Sequence, residues 1–407
     1  MESRPADRPE TKSRCGETTA PPNPDAIDTG ERPFVLVWEC TQACELACKH
    51  CRADAEEQRH PDELTTVEAK ALLDDARRFG EGQIVVLSGG DPLVREDLLE
   101  IVTYGKDRGL RMTLTPSGTS SLTDERVGAL EDAGLRRIAL SLDGASPSAH
   151  DEFRQETGSF EETVRAARQA EDIGLPLQIN TTVCRETVGE LRAIRDLVAE
   201  LGAVLWSVFF LVPIGRGRVL KPINPQQAET VMSWLCEVSE TAPFGVKTTE
   251  APHYRRVALQ AKDDGTGTTS TKDGTSSSSG CSDGPPDHIG RRDGITAGDG
   301  FAFVSHVGQI YPSGFLPDSA GNVREESVVD VYRNAPTFKT LRDPDALNGK
   351  CGACEFRHVC GGSRSRAFAY TGDPLAADPL CSYRPPSYDG TMPTQSFETV
   401  SDSLVNP

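Results

Sequence analysis

Trp38-Glu-Cys-Thr-Gln-Ala-Cys44-Glu-Leu-Ala-Cys48-Lys-His-Cys51-Arg-Ala-Asp54 is the stretch that decides how this chain is read. It follows the apolar run Pro33-Phe-Val-Leu-Val-Trp38 and sets Cys44, Cys48 and Cys51 at the spacing C-x3-C-x2-C. Thiolates are soft ligands for iron–sulfur clusters or zinc, and a short loop lets three of them converge on one centre. A four-iron cubane held by three cysteines keeps one iron open for chemistry. A structural zinc site is closed by a fourth Cys or His. His50, the nearby candidate, lies between two of the cysteines, where the backbone turns it away. An open iron site is the reading; structural zinc or a few buried thiols are the alternatives.

Working outward, the 407 residues hold material for one large domain and a smaller one. Lys and Arg number 43 against 62 Asp and Glu, a net charge of −19. So acidic a chain is a poor candidate for sequence-independent nucleic-acid binding, which rests on phosphate neutralisation. The charge fits a protein kept dispersed by self-repulsion, including one working at high salt. No run reaches the ~18–20 apolar residues of a membrane span, and no secretory signal opens the chain. A cytoplasmic location is expected, where twelve cysteines are metal ligands or free thiols rather than disulfides.

Residues 1–32 are polar and charged and read as a disordered tail containing Cys15. From 33 the pattern alternates. Apolar runs at 34–38, 83–88, 111–115, 137–142, 177–183 and 205–212 read as buried strands. Helix-period segments lie near 65–79, 95–108, 123–133, 159–173, 187–201 and 225–239. Thr65-Thr-Val-Glu68 is a capping box, followed by Ala69, Leu72, Leu73 and Ala76 on one face. Six such units predict parallel strands with right-handed crossovers, in an open doubly wound sheet or an incomplete barrel. Within the bridging stretch 241–300, residues 261–300 are a low-complexity insertion containing Cys281. Residues 301–385 form a compact, turn-rich second domain, and 386–407 a polar tail. Cys40, Cys184 and Cys236 fall in core elements and read as buried hydrophobes.

With His50 as the ring before the last cysteine, Cys44, Cys48 and Cys51 resemble the signature of the radical S-adenosylmethionine (SAM) enzymes. The resemblance tips the fold to that family's partial (β/α)6 barrel. It implies that the open iron chelates the amino and carboxylate groups of SAM. One electron then breaks a C–S bond, and a 5′-deoxyadenosyl radical removes a hydrogen from substrate. Ser88-Gly89-Gly90-Asp91-Pro92 resembles the family's Gly-Gly-Glu-Pro element, with Asp in place of Glu, whose backbone binds the SAM amino group. As a bare motif it is a tight strand–helix turn. By the same analogy Ser117, Ser141, Asp143 and Asn180, each at a strand's carboxyl end, reach SAM, and Arg154 pairs with its methionyl carboxylate.

Cys351-Gly-Ala-Cys354, Cys360-Gly-Gly and Cys381 resemble the family's SPASM/twitch extension, implying one auxiliary [4Fe–4S] cluster, with zinc the alternative. A full SPASM domain has a further cysteine where Arg364 stands, and the usual Gly-x4-Cys partner is missing around Gly308, where Pro312 and Ser313 stand. Cys281 is the spare thiol a second cluster would need. The elements around both cysteine sets look most like the haem-biosynthesis branch, including decarboxylases of Fe-coproporphyrin III. Four propionates call for cations, and Arg216, Arg218 and His253 are the candidates. A one-electron donor such as ferredoxin or flavodoxin is implied. A peptide-modifying maturase is the second reading and a non-catalytic electron-transfer protein the third.

Overall fold

Buried strands alternate with amphipathic helices through the first part of the chain: β1 (Val35–Thr41), α1 (Thr66–Arg77), β2 (Ile84–Gly89), α2 (Leu98–Asp107), β3 (Arg111–Leu114), α3 (Asp124–Asp132) and β4 (Arg137–Ser141). Then come α4 (Pro147–Arg154), α5 (Ser159–Asp172), β5 (Leu177–Val183), α6 (Leu191–Glu200), β6 (Leu205–Phe210) and α7 (Pro225–Thr241). This computed structural model describes residues 27–263 and 295–393. Cys15, Cys281 and most of the tail and insertion readings lie outside the described residues.

Local chemistry accounts for the element ends. At α1, Thr65 Oγ1 accepts from Glu68 N (3.3 Å) while Glu68 Oε2 accepts from Thr65 N (2.8 Å), so the expected capping box closes. The unexpected helix is α4. Ser146 Oγ accepts from Ala149 N, Pro147 opens the first turn, and Gln155 ends it in a left-handed conformation at φ 58°. Eight residues between such signals are too few for a clear 3.6-residue period.

The sheet has ten strands among the described residues, in the order β10-β9-β8-β1-β2-β3-β4-β5-β6-β7. β1 to β6 are parallel in chain order, and β7 (Gly245–Thr249) adds a seventh parallel strand. On the other side of β1, β8 (Phe301–Val304) is parallel, followed by antiparallel β9 (Gln309–Tyr311) and β10 (Gly321–Asn322). The short strands after 300 thus extend the barrel wall. Glu250, just past β7, accepts from Ser313, Ser363 and Ser365, which ties the end of β7 to the segment beyond β9. Helices α8 (Tyr254–Asp263), α9 (Val328–Asn334), α10 (Pro336–Arg342), α11 (Gly349–Gly352) and α12 (Arg364–Thr371) complete the set among the described residues.

Strand alternation gives the sheet two faces. Leu36, Trp38, Val85, Leu87, Met112, Leu114, Ile138, Leu140, Ile179, Trp206 and Val208 pack under the helices in one core. Their alternates face the concave side. Register aligns Ser141 with Asn180, Asn180 with Ser207, and Ser207 with Lys247, a single row across β4 to β7. Cys40, Cys184 and Cys236 are buried. No helix among the described residues is long and apolar enough to cross a membrane.

Gly89 and Gly90 fit where no side chain would. A Cβ at Gly89 would meet Thr41 O at 2.1 Å, and one at Gly90 would meet Ala43 O at 2.1 Å. Gly90→Ala should therefore lower stability by about 1–3 kcal/mol in denaturant unfolding. Gly128→Ala, in α3 where an added Cβ meets nothing within 4 Å, should raise it by up to ~1 kcal/mol. Equal effects at the two positions would refute the packing argument.

Candidate active site

The cysteine loop leaves β1 and is held by its backbone from three directions. At the end of β2, Gly90 N donates to Thr41 O (2.9 Å) and Asp91 N to Ala43 O (2.7 Å). Beyond β6, Arg216 N donates to Cys51 O (3.0 Å), and the Arg216 guanidinium reaches the carbonyls of Cys48 (3.1 Å), Ala55 (2.9 Å) and Leu46 (3.4 Å). On α4, Phe153 O accepts from Lys49 N (3.1 Å), and the Phe153 ring stacks on His50 at 5.0 Å with the planes 11° apart. The ring of the motif docks the loop. Burial brings the His50 pKa down to about 4, so the imidazole is neutral.

In this cradle Cys44 and Cys48 are buried and Cys51 is half-buried. Burial pushes the Cys44 and Cys48 thiols up; the Ser117 hydroxyl, 3.3 Å from Cys44 Sγ, and the Arg154 guanidinium pull them back. Burial pulls the Arg154 pKa down, but Cys48, Asp143, Cys44 and Cys51 together outweigh it and raise it. Arg154 Nη2 donates to Ser117 O (3.0 Å), Nη1 lies 3.6 Å from Asp143 Oδ2, and Nε has no partner among the described residues. Asp143 Oδ1 accepts from Thr182 N (2.7 Å), while its buried Oδ2 makes no hydrogen bond among the described residues.

A buried carboxylate and a buried guanidinium with unused valences beside three thiols fit a zwitterionic ligand on a thiolate-held cluster; an apolar ligand would leave both charges poorly matched. Among the described residues no three Cys, His, Asp or Glu side chains meet where a single metal ion could be held. A cubane makes a different demand: each thiolate binds its own iron, so the sulfurs need not converge on one point.

The other expected SAM contacts divide. Gly89, Gly90, Asp91, Ser117, Asp143 and Arg154 gather around the loop. Asp91 is buried, which raises its pKa, and it accepts from Leu93 N (3.1 Å) and Thr119 Oγ1 (3.3 Å), capping the turn after β2. Ser141 and Asn180 lie on the concave wall, where Asn180 Oδ1 accepts from Gln178 Nε2 (2.7 Å).

Cys351, Cys354, Cys360 and Cys381 line one hollow that opens to solvent. Asp378 N points at Cys351 Sγ and Gly362 N at Cys360 Sγ, each at 3.4 Å. Burial pushes the Cys381 thiol up to about 11, opposed by Lys350 and Arg256. Lys350, itself buried, donates to Cys381 O. A thiolate-held cluster is net negative, and cations at this rim suit it. Arg364 lies with Nη2 3.8 Å from Cys351 Sγ and donates to the carbonyls of Gly362, Pro374 and Ala376 (2.9–3.1 Å).

The three residues expected to meet substrate have other surroundings. Arg216 is committed to the cysteine loop, a correction that only the folded backbone reveals. Arg218 is exposed on the turn that follows β6. His253 is sealed, at 0% exposure, beside Phe210 and 3.9 Å from Asp378; burial lowers its pKa to about 4, against the pull of Asp378. It cannot reach a haem iron in this fold. Arg52 was missed. It pairs with Glu39 (2.6 Å), lies 4.6 Å over the Phe303 ring and so ties the loop to β8; its place just after Cys51 was the available signal.

The sequence profile of the Radical SAM superfamily matches residues 38–198. The AdoMet-dependent heme synthase of Methanosarcina barkeri is 41% identical over 354 residues, covering 87% of this chain and 97% of that one. The chain belongs to the radical SAM superfamily. As a radical SAM enzyme it uses a [4Fe–4S] cluster and SAM. The mycofactocin maturase of Mycobacterium tuberculosis is 30% identical over 377 residues, covering 88% of this chain and 86% of its own. Streptococcus suis SuiB bound to S-adenosylmethionine superposes with a TM-score of 0.66 at 16% identity, over 87% of this chain and 78% of that one, a likeness of fold.

Arg216→Met should strip the loop of three carbonyl contacts and reduce the iron retained there after anaerobic reconstitution. Cys48→Ala should abolish SAM cleavage, whereas Cys354→Ala should remove iron from the second site only. Loss of all the iron in Cys48→Ala, or in Cys354→Ala, would refute two separate sites. Acid behaviour follows from the buried imidazoles: His150 and His253 fall from 6.5 to about 4 on folding, so the unfolded chain binds protons that the folded chain refuses. The urea midpoint should fall as pH drops from about 6.5 towards 4, and His253→Gln should flatten that slope; an unaltered slope would remove His253 from the account.

Proposed function

We propose that this chain is an AdoMet-dependent haem synthase that converts two propionates of Fe-coproporphyrin III into the vinyl groups of haem. The observation carrying this reading is the 41% identity that extends over 97% of the M. barkeri synthase. Cys44, Cys48 and Cys51 would hold the SAM-binding [4Fe–4S] cluster. Gly89, Gly90, Asp91, Ser117, Ser141, Asp143, Arg154 and Asn180 would hold SAM. Cys351, Cys354, Cys360 and Cys381 would hold an auxiliary [4Fe–4S] cluster, by its chemistry a one-electron acceptor.

When bound, the cluster and SAM supply a carbon radical able to take a hydrogen atom from a propionate β-carbon. Each propionate then loses that hydrogen atom, one electron and CO2 in becoming a vinyl group. Arg154 supplies a fixed cation for a methionyl carboxylate, and its burial keeps competing water away. In this reading residues 33–240 carry the radical chemistry, 241–300 bridge, and 301–385 carry the auxiliary site. The enzyme is cytoplasmic and draws electrons from a ferredoxin or flavodoxin.

Anaerobic incubation with Fe-coproporphyrin III, SAM and a reductant should give two successive decarboxylations by mass spectrometry, with one 5′-deoxyadenosine formed per vinyl group. Active SAM cleavage beside unchanged porphyrin would overturn the haem reading and turn the search to peptide substrates.

A further inference from the structure

Lys247 stands on the concave face of β7. Its neighbour Val246 packs into the core on the opposite face, and register places Lys247 beside Ser207 at the end of the row Ser141–Asn180–Ser207. The side chain is exposed to solvent on that face. Among the described residues it makes no hydrogen bond and no ion pair. The charges acting on it are Arg137, on β4, and Arg255, both cations. Arg137 in turn faces the like charge of Arg111. In a chain of net charge −19, a cationic cluster on the concave wall with no carboxylate at Lys247 runs against composition. Desolvation and like charge together bring the Lys247 pKa down to about 8. An anion would relieve both effects.

We propose that Lys247, with Arg137 facing it from β4, is a specificity-determining residue that binds a carboxylate of the substrate. The assignment rests on the haem reading above, in which that carboxylate is a propionate of Fe-coproporphyrin III. Arg137 Nη1 lies 3.5 Å from Gln178 Oε1, which positions the guanidinium while leaving donors over. Position along the sheet supports the role. Lys247 shares its row with Ser141 and Asn180, and Arg137 stands four residues before Ser141 on β4, so a carboxylate between the two cations would lie next to the residues assigned to SAM, on the amino-end side of the strands.

The test is porphyrin binding by the full chain, read from the Soret band. Lys247→Met should weaken binding of Fe-coproporphyrin III about tenfold or more, the scale of a lost charged hydrogen bond. Lys247→Arg should restore most of it. The tetramethyl ester of the same porphyrin, which lacks the anions, should bind wild type and Lys247→Met alike. Equal losses for acid and ester would mean a structural role and overturn the assignment. So would a loss confined to SAM affinity, which would give the cation to the methionyl carboxylate. Tetra-acid bound as tightly by Lys247→Met as by wild type would end the Lys247 assignment alone. Wild type that binds neither porphyrin would end the haem reading and this assignment together.

Discussion

Three thiols destined for a cluster must be held by something other than their sulfurs, and in this fold the loop's backbone carbonyls do that work. Thr41 O and Ala43 O accept from Gly90 and Asp91, and those of Leu46, Cys48, Cys51 and Ala55 accept from Arg216. The contacts come from the ends of β2 and β6, so the loop's shape is inherited from the sheet. The requirement explains the glycine pair more directly than any ligand does. A Cβ at either glycine would enter a carbonyl oxygen that the loop needs in place. The motif therefore serves packing first, and its proposed contact with SAM comes second.

Much of the barrel was legible because its signals are local. The six strands and their helices show period and caps within short windows, and Thr65–Glu68 closes as a box. Three features were not legible, each for a physical reason. α4 is short and owes its limits to Ser146, Pro147 and Gln155 more than to periodicity. β7, Gly-Val-Lys-Thr-Thr, has one strongly apolar residue, because its concave face is polar and its position is at the far end of the parallel run. The β8–β1 pairing joins segments that are distant in the chain, and no local pattern reports it. The same limit governs the site. Arg154 could be placed beside the cysteines by resemblance, whereas Arg216 looked like any cation after a strand; its partners are main-chain atoms, which carry no sequence signature.

Charge is distributed with a purpose that the net value hides. The acidic excess lies largely on solvent, while Arg154, Arg256 and Lys350 are buried at the two cysteine sites. Burying a cation alone is costly. Arg256 is met by Glu229 at 2.6 Å, and Arg154 by Asp143 at 3.6 Å, too far for a full hydrogen bond. The loose pair is the one beside the three-cysteine loop, where a ligand must enter; the tight pair stands beside four cysteines that can close their own site. Looseness at the first and closure at the second follow from the number of thiols each supplies.

Arg364 carries that argument one step further. It occupies the position where a full SPASM domain places a cysteine, and its side chain grips three carbonyls of the loop around Cys351. A thiol at that position could not reach all three, and the segment from Gly362 to Ala376 would lose the fork that holds it against Cys351. Its role as a clamp and a role as metal ligand are therefore mutually exclusive. On the proposed reading, one auxiliary site is a consequence of how the loop is braced, with the guanidinium stiffening the site that remains.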